Sequence, residues 1–211
     1  MAIKMKLFEK ISNFVTQLDV TTVNDERKQI LQPLIDFIQT KQDKNEVINL
    51  NFICTHNSRR SHLAQIWAQT MAHYYDVPKV FCYSGGTEAT AVYPAVVDVL
   101  KASGFEIDYL ADLNNPNYAI KYAENQASIV AFSKRWDDAS NPKDSFCAIM
   151  TCSEADGDCP VVLGAEKRVP IHYLDPKAFD HSPQKLEEYN QTSIKIATEM
   201  SYVFAQIKIK N

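Results

Sequence analysis

The 211-residue sequence has no apolar run near the ~18 residues that a helix needs to cross a bilayer, which excludes a helical membrane span. Glycine is scarce, at five residues, and there are no internal repeats or low-complexity tracts, so collagen-like and solenoid architectures are excluded. Positive charge is not in excess: 22 Lys and Arg against 26 Asp and Glu leave a net charge of −4. A dedicated nucleic-acid binder, which carries a basic face, is therefore not expected, although a local basic pocket for an anion remains open. The opening stretch MAIKMKLFEKISNF lacks the apolar segment and small-residue cleavage site of a secretory signal, so the expected location is the cytoplasm. What is present is ordinary for a soluble globular chain, 45% hydrophobic and 23% charged, which excludes disorder or coiled coil as the main state. Five cysteines, Cys54, Cys82, Cys147, Cys152 and Cys159, are an odd number in a reducing compartment. They argue against a disulfide framework and for catalytic, redox or metal chemistry.

Residues 1–46 read as an N-terminal helical extension. Leu7, Phe8, Ile11, Phe14, Val15 and Leu18 recur at helical spacing, and a second apolar set runs from Ile30 to Ile38. Thr22 followed by Asp25 resembles a helix start, and Pro33 is expected to kink or restart the second helix. The polar linker 41–46 leads to residues 47–211, read as one catalytic domain. Apolar β-rich runs at 47–54, 79–84 and 146–151, and a weaker one at 168–173, predict strands. Helical patterns fall at about 60–75, 90–103 and 183–207. Alternation of this kind implies an α/β fold, a four-stranded mostly parallel sheet with helices on both faces. An insertion at about 112–145 includes a predicted β-hairpin, 118–123 against 127–133. In open parallel sheets the site lies at the carboxyl ends of the strands, where Cys54 and Cys152 both fall.

Residues 54–61 read Cys-Thr-His-Asn-Ser-Arg-Arg-Ser between a strand and a helix. Five residues between Cys54 and Arg60 suffice to turn the backbone N–H groups of Thr55, His56, Asn57, Ser58 and Arg59 inward. The helix N-terminus adds positive potential, and together they bind a tetrahedral oxyanion and favour Cys54 as a thiolate. Arg60 offers a planar fork for two oxyanion oxygens. Ser61 can hydrogen-bond the thiolate, and Asn57 tolerates the positive φ that so tight a loop requires. His56 either titrates beside the anion or serves a positive φ, and Arg59 either adds charge or faces solvent. The bland alternative makes Cys54 a small buried hydrophobe and Arg60 a solvated helix residue.

With that loop following the first strand of the domain, the sequence resembles the low-molecular-weight protein tyrosine phosphatase superfamily. The resemblance implies that fold, and a general acid on a downstream Asp-Pro, which Asp175-Pro176 supplies after the fourth predicted strand. The segment Cys152-Ser-Glu-Ala-Asp-Gly-Asp-Cys159-Pro160, directly after the third strand, is most similar to the thioredoxin-coupled arsenate reductases of the same superfamily. The likeness covers about 47–210. It implies Cys54 as nucleophile on arsenate, Arg60 and the loop amides as charge stabilisers, and Asp175 as proton donor. It further implies a thiol relay through Cys152 and Cys159 to a thioredoxin-type reductant, with no tightly bound cofactor. Those reductases also hold a potassium ion near the loop through a helix carboxylate, where this chain has Gln65.

Two readings of the enzyme stand beside each other: arsenate reductase, and low-molecular-weight tyrosine phosphatase, which needs only Cys54, Arg60 and Asp175. A third is an idle oxyanion or redox sensor that meets a partner through its helical hairpin. For Cys152 and Cys159, a zinc site is a further alternative, but the spacing is wider than that of paired ligands and no second pair occurs. Cys82 and Cys147 read as core thiols. His172 and His181 read as surface or loop residues.

Overall fold

The apolar run that ends in Cys54 becomes one of the two inner strands of a parallel sheet. The computed structural model describes residues 7–111, 114–158 and 161–209. In chain order the elements are α1 (Glu9–Thr16), α2 (Asp25–Asp43), β1 (Ile48–Cys54), α3 (Arg60–Tyr74), β2 (Val80–Gly86), α4 (Pro94–Ser103), β3 (Glu106–Ala111), β4 (Asn117–Lys121) and β5 (Ile129–Ala131). There follow β6 (Phe146–Met150), α5 (Ser153–Asp158), β7 (Ala165–Pro170) and α6 (Lys185–Ala205). The main sheet has the order β2-β1-β6-β7, and every pair in it is parallel. Alternate residues divide its two faces. Leu50 and Phe52 join Trp67 of α3 and Met200 of α6 in the larger core. Ile53, Ala148 and Met150 face the other way, onto Ala155 of α5 and Val162. The expected α/β fold with helices on both faces is what forms.

Several local expectations are corrected. The fourth strand is Ala165–Pro170, not 168–173. Its exposed Glu166 and Lys167 hid it, because an edge strand needs little apolar surface. The cap of α2 is Asn24, whose Oδ1 accepts from the Arg27 N–H at 2.8 Å, rather than Thr22, which closes a 3-10 turn capped by Asp19. The second helix runs unbroken through Pro33. Its apolar stripe, with Leu31, Leu34 and Ile38 fully buried, outweighs the one hydrogen bond that proline removes. The predicted hairpin forms as β4 and β5, with Tyr118 opposite Ala131. It is joined by β3, whose largely exposed residues gave no alternating signal. The three-stranded sheet therefore starts at Glu106.

The helical hairpin shares the larger core. Phe14 of α1 stacks on Trp67 at 5.0 Å between ring centroids. Gly104, left-handed at φ 108°, ends α4 so close beneath α1 that a Cβ there would lie 2.7 Å from Cβ of Lys10. Arg27 of α2 holds Glu199 of α6 through two 2.8 Å bonds. Lys41 joins Glu46 to Glu166 of β7.

Candidate active site

The carboxyl end of β1 opens into a loop whose carbonyls are all turned outward and bonded. Cys54 O accepts from Thr87 N (3.1 Å), Thr55 O from Glu88 N (2.9 Å), and Ser58 O from Tyr93 N (3.0 Å). His56 O accepts from Ser133 Oγ (2.9 Å) and Thr90 Oγ1 (3.0 Å), and the His62 ring bonds Asn57 O (2.9 Å). With the carbonyls so engaged, the amides of Thr55, His56, Asn57, Ser58 and Arg59 have no hydrogen-bond acceptor among the described residues. They lead into the N-terminus of α3. Such a cradle of free N–H groups at a helix start attracts a tetrahedral anion. Gly86 makes the geometry possible, since a Cβ there would lie 2.5 Å from Thr55 O and 2.7 Å from Asn57 N.

Cys54 is buried, with Sγ 3.1 Å from Ser61 Oγ. Asn57 Nδ2 donates to that same hydroxyl at 2.9 Å, which leaves the Ser61 proton free to reach a Cys54 thiolate. Asn57 adopts φ 43°, and its Oδ1 accepts from the Lys134 N–H at 2.9 Å. Beneath the loop His62 is fully buried. Burial and the nearby Lys134 charge push its imidazole down to about 3, so it stays neutral.

Arg60 donates through Nη1 to Tyr173 O (3.0 Å) and through Nη2 to Asp175 Oδ2. The other oxygen of Asp175 caps a 3-10 turn, Pro176–Phe179, by accepting from Lys177 N at 3.0 Å. Arg59 neither faces solvent nor points into the cradle. Its Nε donates to Tyr189 Oη and its Nη2 to Asp180, and its guanidinium lies 4.2 Å from the Tyr93 ring centroid. The half-exposed His56 ring comes within 4.0 Å of Glu88 Oε1.

Cys152 also lies at the cradle. Its sulfur is 3.5 Å from Thr55 Oγ1 and accepts from the Ala155 amide at 3.4 Å, which places it at the start of α5. Burial pushes its thiol up, against the smaller pull of those two donors. Cys54, Cys82, Cys147 and Cys152 are all free thiols. Burial raises Cys82 and Cys147 well above the usual thiol range, which suits inert core residues. Cys159 lies outside the described residues. His172 bonds Asp156 of α5 at 3.2 Å. Gln65 gives its Nε2 to Cys82 O at 3.0 Å. No His, Cys, Asp and Glu cluster among the described residues could hold a metal ion.

Sequence reasoning missed the supports that come from the insertion. Ser133 and Lys134 brace the loop, and Asn141 Nδ2 bonds Ser84 O at 3.0 Å. Tyr93, Asp180 and Tyr189 were likewise invisible, because only the fold brings them to Arg59.

No family model matches the chain. Among curated proteins, "Arsenate reductase 2" of Staphylococcus haemolyticus (strain JCSC1435) is 28% identical over 145 residues, 68% of this chain and 91% of its own length. The arsenate reductase of Staphylococcus aureus (strain Newman) is 29% identical over 150 residues, 70% and 91% respectively. The chain is thus similar to arsenate reductases over about two thirds of its length. Its fold is shared with a YwlE mutant from Bacillus subtilis, at a TM-score of 0.52 and 17% identity over 75% of this chain and 97% of that one. A low-molecular-weight protein tyrosine phosphatase from T. tengcongensis superposes with a TM-score of 0.51 and 16% identity, covering 76% and 99%. The chain thus has the low-molecular-weight phosphatase fold. Among the described residues no helix is long and apolar enough to cross a membrane.

Proposed function

We propose that this chain reduces arsenate to arsenite through a relay of three cysteines. The observation that carries the reading is the second free thiol at the cradle, Cys152 beside Thr55, since ester hydrolysis through Cys54 would need none. The Cys54 thiolate attacks arsenate held by the loop amides and Arg60, and a water leaves with the help of a proton from Asp175. Cys152 as thiolate then attacks the Cys54 sulfur. The S–As bond breaks, its electron pair reduces As(V) to As(III), and arsenite departs, leaving a Cys54–Cys152 disulfide. Cys159 exchanges onto Cys152 and frees Cys54. A dithiol protein of the thioredoxin type restores the pair. A potassium ion has no carboxylate to hold it at Gln65, whose Nε2 is engaged on β2, so no step is routed through one.

The test compares arsenite released per protein by wild type and Cys159→Ser under excess arsenate and thioredoxin. The variant should stop after about one turnover, trapped as the Cys54–Cys152 disulfide, while Cys54→Ser should release none. Full multiple turnover by Cys159→Ser would sink the relay. The second reading is phosphate-monoester hydrolysis, supported by Cys54, Arg60 and Asp175 alone. Efficient aryl phosphate hydrolysis by a wild type that reduces no arsenate would decide for it.

A further inference from the structure

Arg59 is the one cation of the oxyanion loop that the proposed chemistry leaves without a task, and it is engaged as fully as any residue of the site. Its Nε donates to Tyr189 Oη, its Nη2 donates to Asp180 Oδ2, and Tyr189 Oη donates to Asp180 Oδ1 at 2.6 Å. The Tyr93 ring lies under the guanidinium and stacks on Tyr189, with centroids 5.4 Å apart. The Arg59–Asp180 pair is part-buried, with side chains 11% and 9% exposed. Asp180 follows the 3-10 turn that starts at Pro176, and Asp175 precedes it. Consecutive arginines thus grip the two ends of one short segment, Arg60 at Asp175 and Arg59 at Asp180.

The two grips differ in kind. Arg60 is also the fork for the oxyanion, so its bond to Asp175 must yield when the substrate takes those donors. Asp175 is then left part-exposed, between Leu174 at 87% exposure and Pro176, whose burial anchors the start of the turn but not the carboxyl. Arg59 has no such second duty. Because it is one peptide from Arg60, its hold on Asp180 ties the segment to the loop that binds the substrate.

We infer that Arg59, with Asp180 and Tyr189, is a positioning clamp that keeps the Asp175 carboxyl over the Cys54 cradle when Arg60 turns to the oxyanion. The inference rests on the reading of Asp175 as proton donor. A lysine could not replace Arg59, because one ammonium cannot serve Tyr189 and Asp180 in a plane while stacking on Tyr93.

The experiment uses the full chain and two esters, nitrophenyl phosphate and phenyl phosphate. A misplaced acid matters little for the good leaving group and much for the poor one. Complete loss of a general acid costs on the order of 10²–10⁴-fold, and Asp175→Asn sets that limit here. Arg59→Met and Asp180→Asn should lower kcat for phenyl phosphate about 10-fold and for nitrophenyl phosphate about 2-fold, taking part of the same limit. Competitive inhibition by inorganic phosphate should be unchanged. Arg59→Lys should fall with Arg59→Met, and Arg59→Met added to Asp175→Asn should cost nothing more. Equal losses for the two esters, or weaker phosphate inhibition in step with kcat, would overturn the clamp. Hydrogen exchange over 172–181 is followed in the same proteins. Arg59→Met should quicken it, and unchanged exchange overturns the clamp even if the wild type hydrolyses neither ester. In that last case the reading of Asp175 as proton donor is judged separately, by arsenite release from wild type and Asp175→Asn.

Discussion

Asn57 shows how much of the site rests on one small side chain. It takes the left-handed φ of 43°, accepts from Lys134 and donates to Ser61, which leaves Ser61 to face Cys54. The motif spacing, the positive φ and the Ser61 contact could all be anticipated, because they are consequences of a five-residue loop closing on a helix. The Lys134 brace could not, since it lies 77 positions from Asn57. His62 beneath the loop carries a prediction at this scale. Its folded value of about 3 lies below the ordinary 6.5 because burial disfavours the charged ring. Between pH 6.5 and 3 the unfolded chain therefore holds a proton that the native chain refuses, and stability falls as pH falls. One such proton contributes about 1.4 kcal/mol per pH unit. Urea unfolding at pH 7 and pH 5 should show a larger loss for wild type than for His62→Asn, and equal losses would refute the assignment.

At the scale of elements, α5 and β2 are the informative ones. In α5, Cys152 accepts the Ala155 amide at the helix start, and Asp156 is held by Arg168 and His172. Six residues separate Cys152 from Cys159. Between them α5 alone, Ser153–Asp158, spans five steps of helical rise, about 7.5 Å, already above the ~7 Å limit between Cα atoms of a disulfide. Closing a Cys152–Cys159 bridge is therefore expected to unwind α5. Gly157 weakens this helix, and a Cβ there would meet nothing within 4 Å. Gly157→Ala should strengthen the helix by about 0.5–1 kcal/mol and slow formation of the second disulfide about 2- to 5-fold. The first disulfide should form at its usual rate. Mass-resolved single-turnover experiments separate the two, and an unchanged second step would show that unwinding does not limit it. The open edge of β2 is closed by side-chain amides. Gln69 takes Val80 O and Cys82 N, Gln65 takes Cys82 O, and Asn141 takes Ser84 O. Beyond them, segment 134–136 pairs with Gly86. Gln65 is thereby explained as an edge cap, which protects against pairing with another chain.

For the whole molecule, the helical hairpin is part of the same core as the sheet, and Arg27–Glu199 is one of its fastenings. The Glu199 side chain is only 3% exposed, so Arg27→Met leaves a carboxylate buried without its partner. A loss of about 3–5 kcal/mol is expected, read from the urea midpoint, with much of it recovered in Arg27→Met/Glu199→Met. A change under ~1 kcal/mol would place the pair among weak surface contacts. Sequence alone determined the parallel α/β sheet, the tight loop from Cys54 to Arg60 and the apolar hairpin, because each rests on local periodicity or on a motif confined to one strand–helix turn. Strand β3 and the true place of β7 escaped, since exposed or edge strands need no apolar alternation. The association of Asp175 with Arg60, of Cys152 with Thr55 and of Arg59 with Asp180 was decided only by tertiary structure. Parallel strands deliver their ends to one side of the sheet, and residues a hundred positions apart become neighbours there without leaving any trace in local spacing.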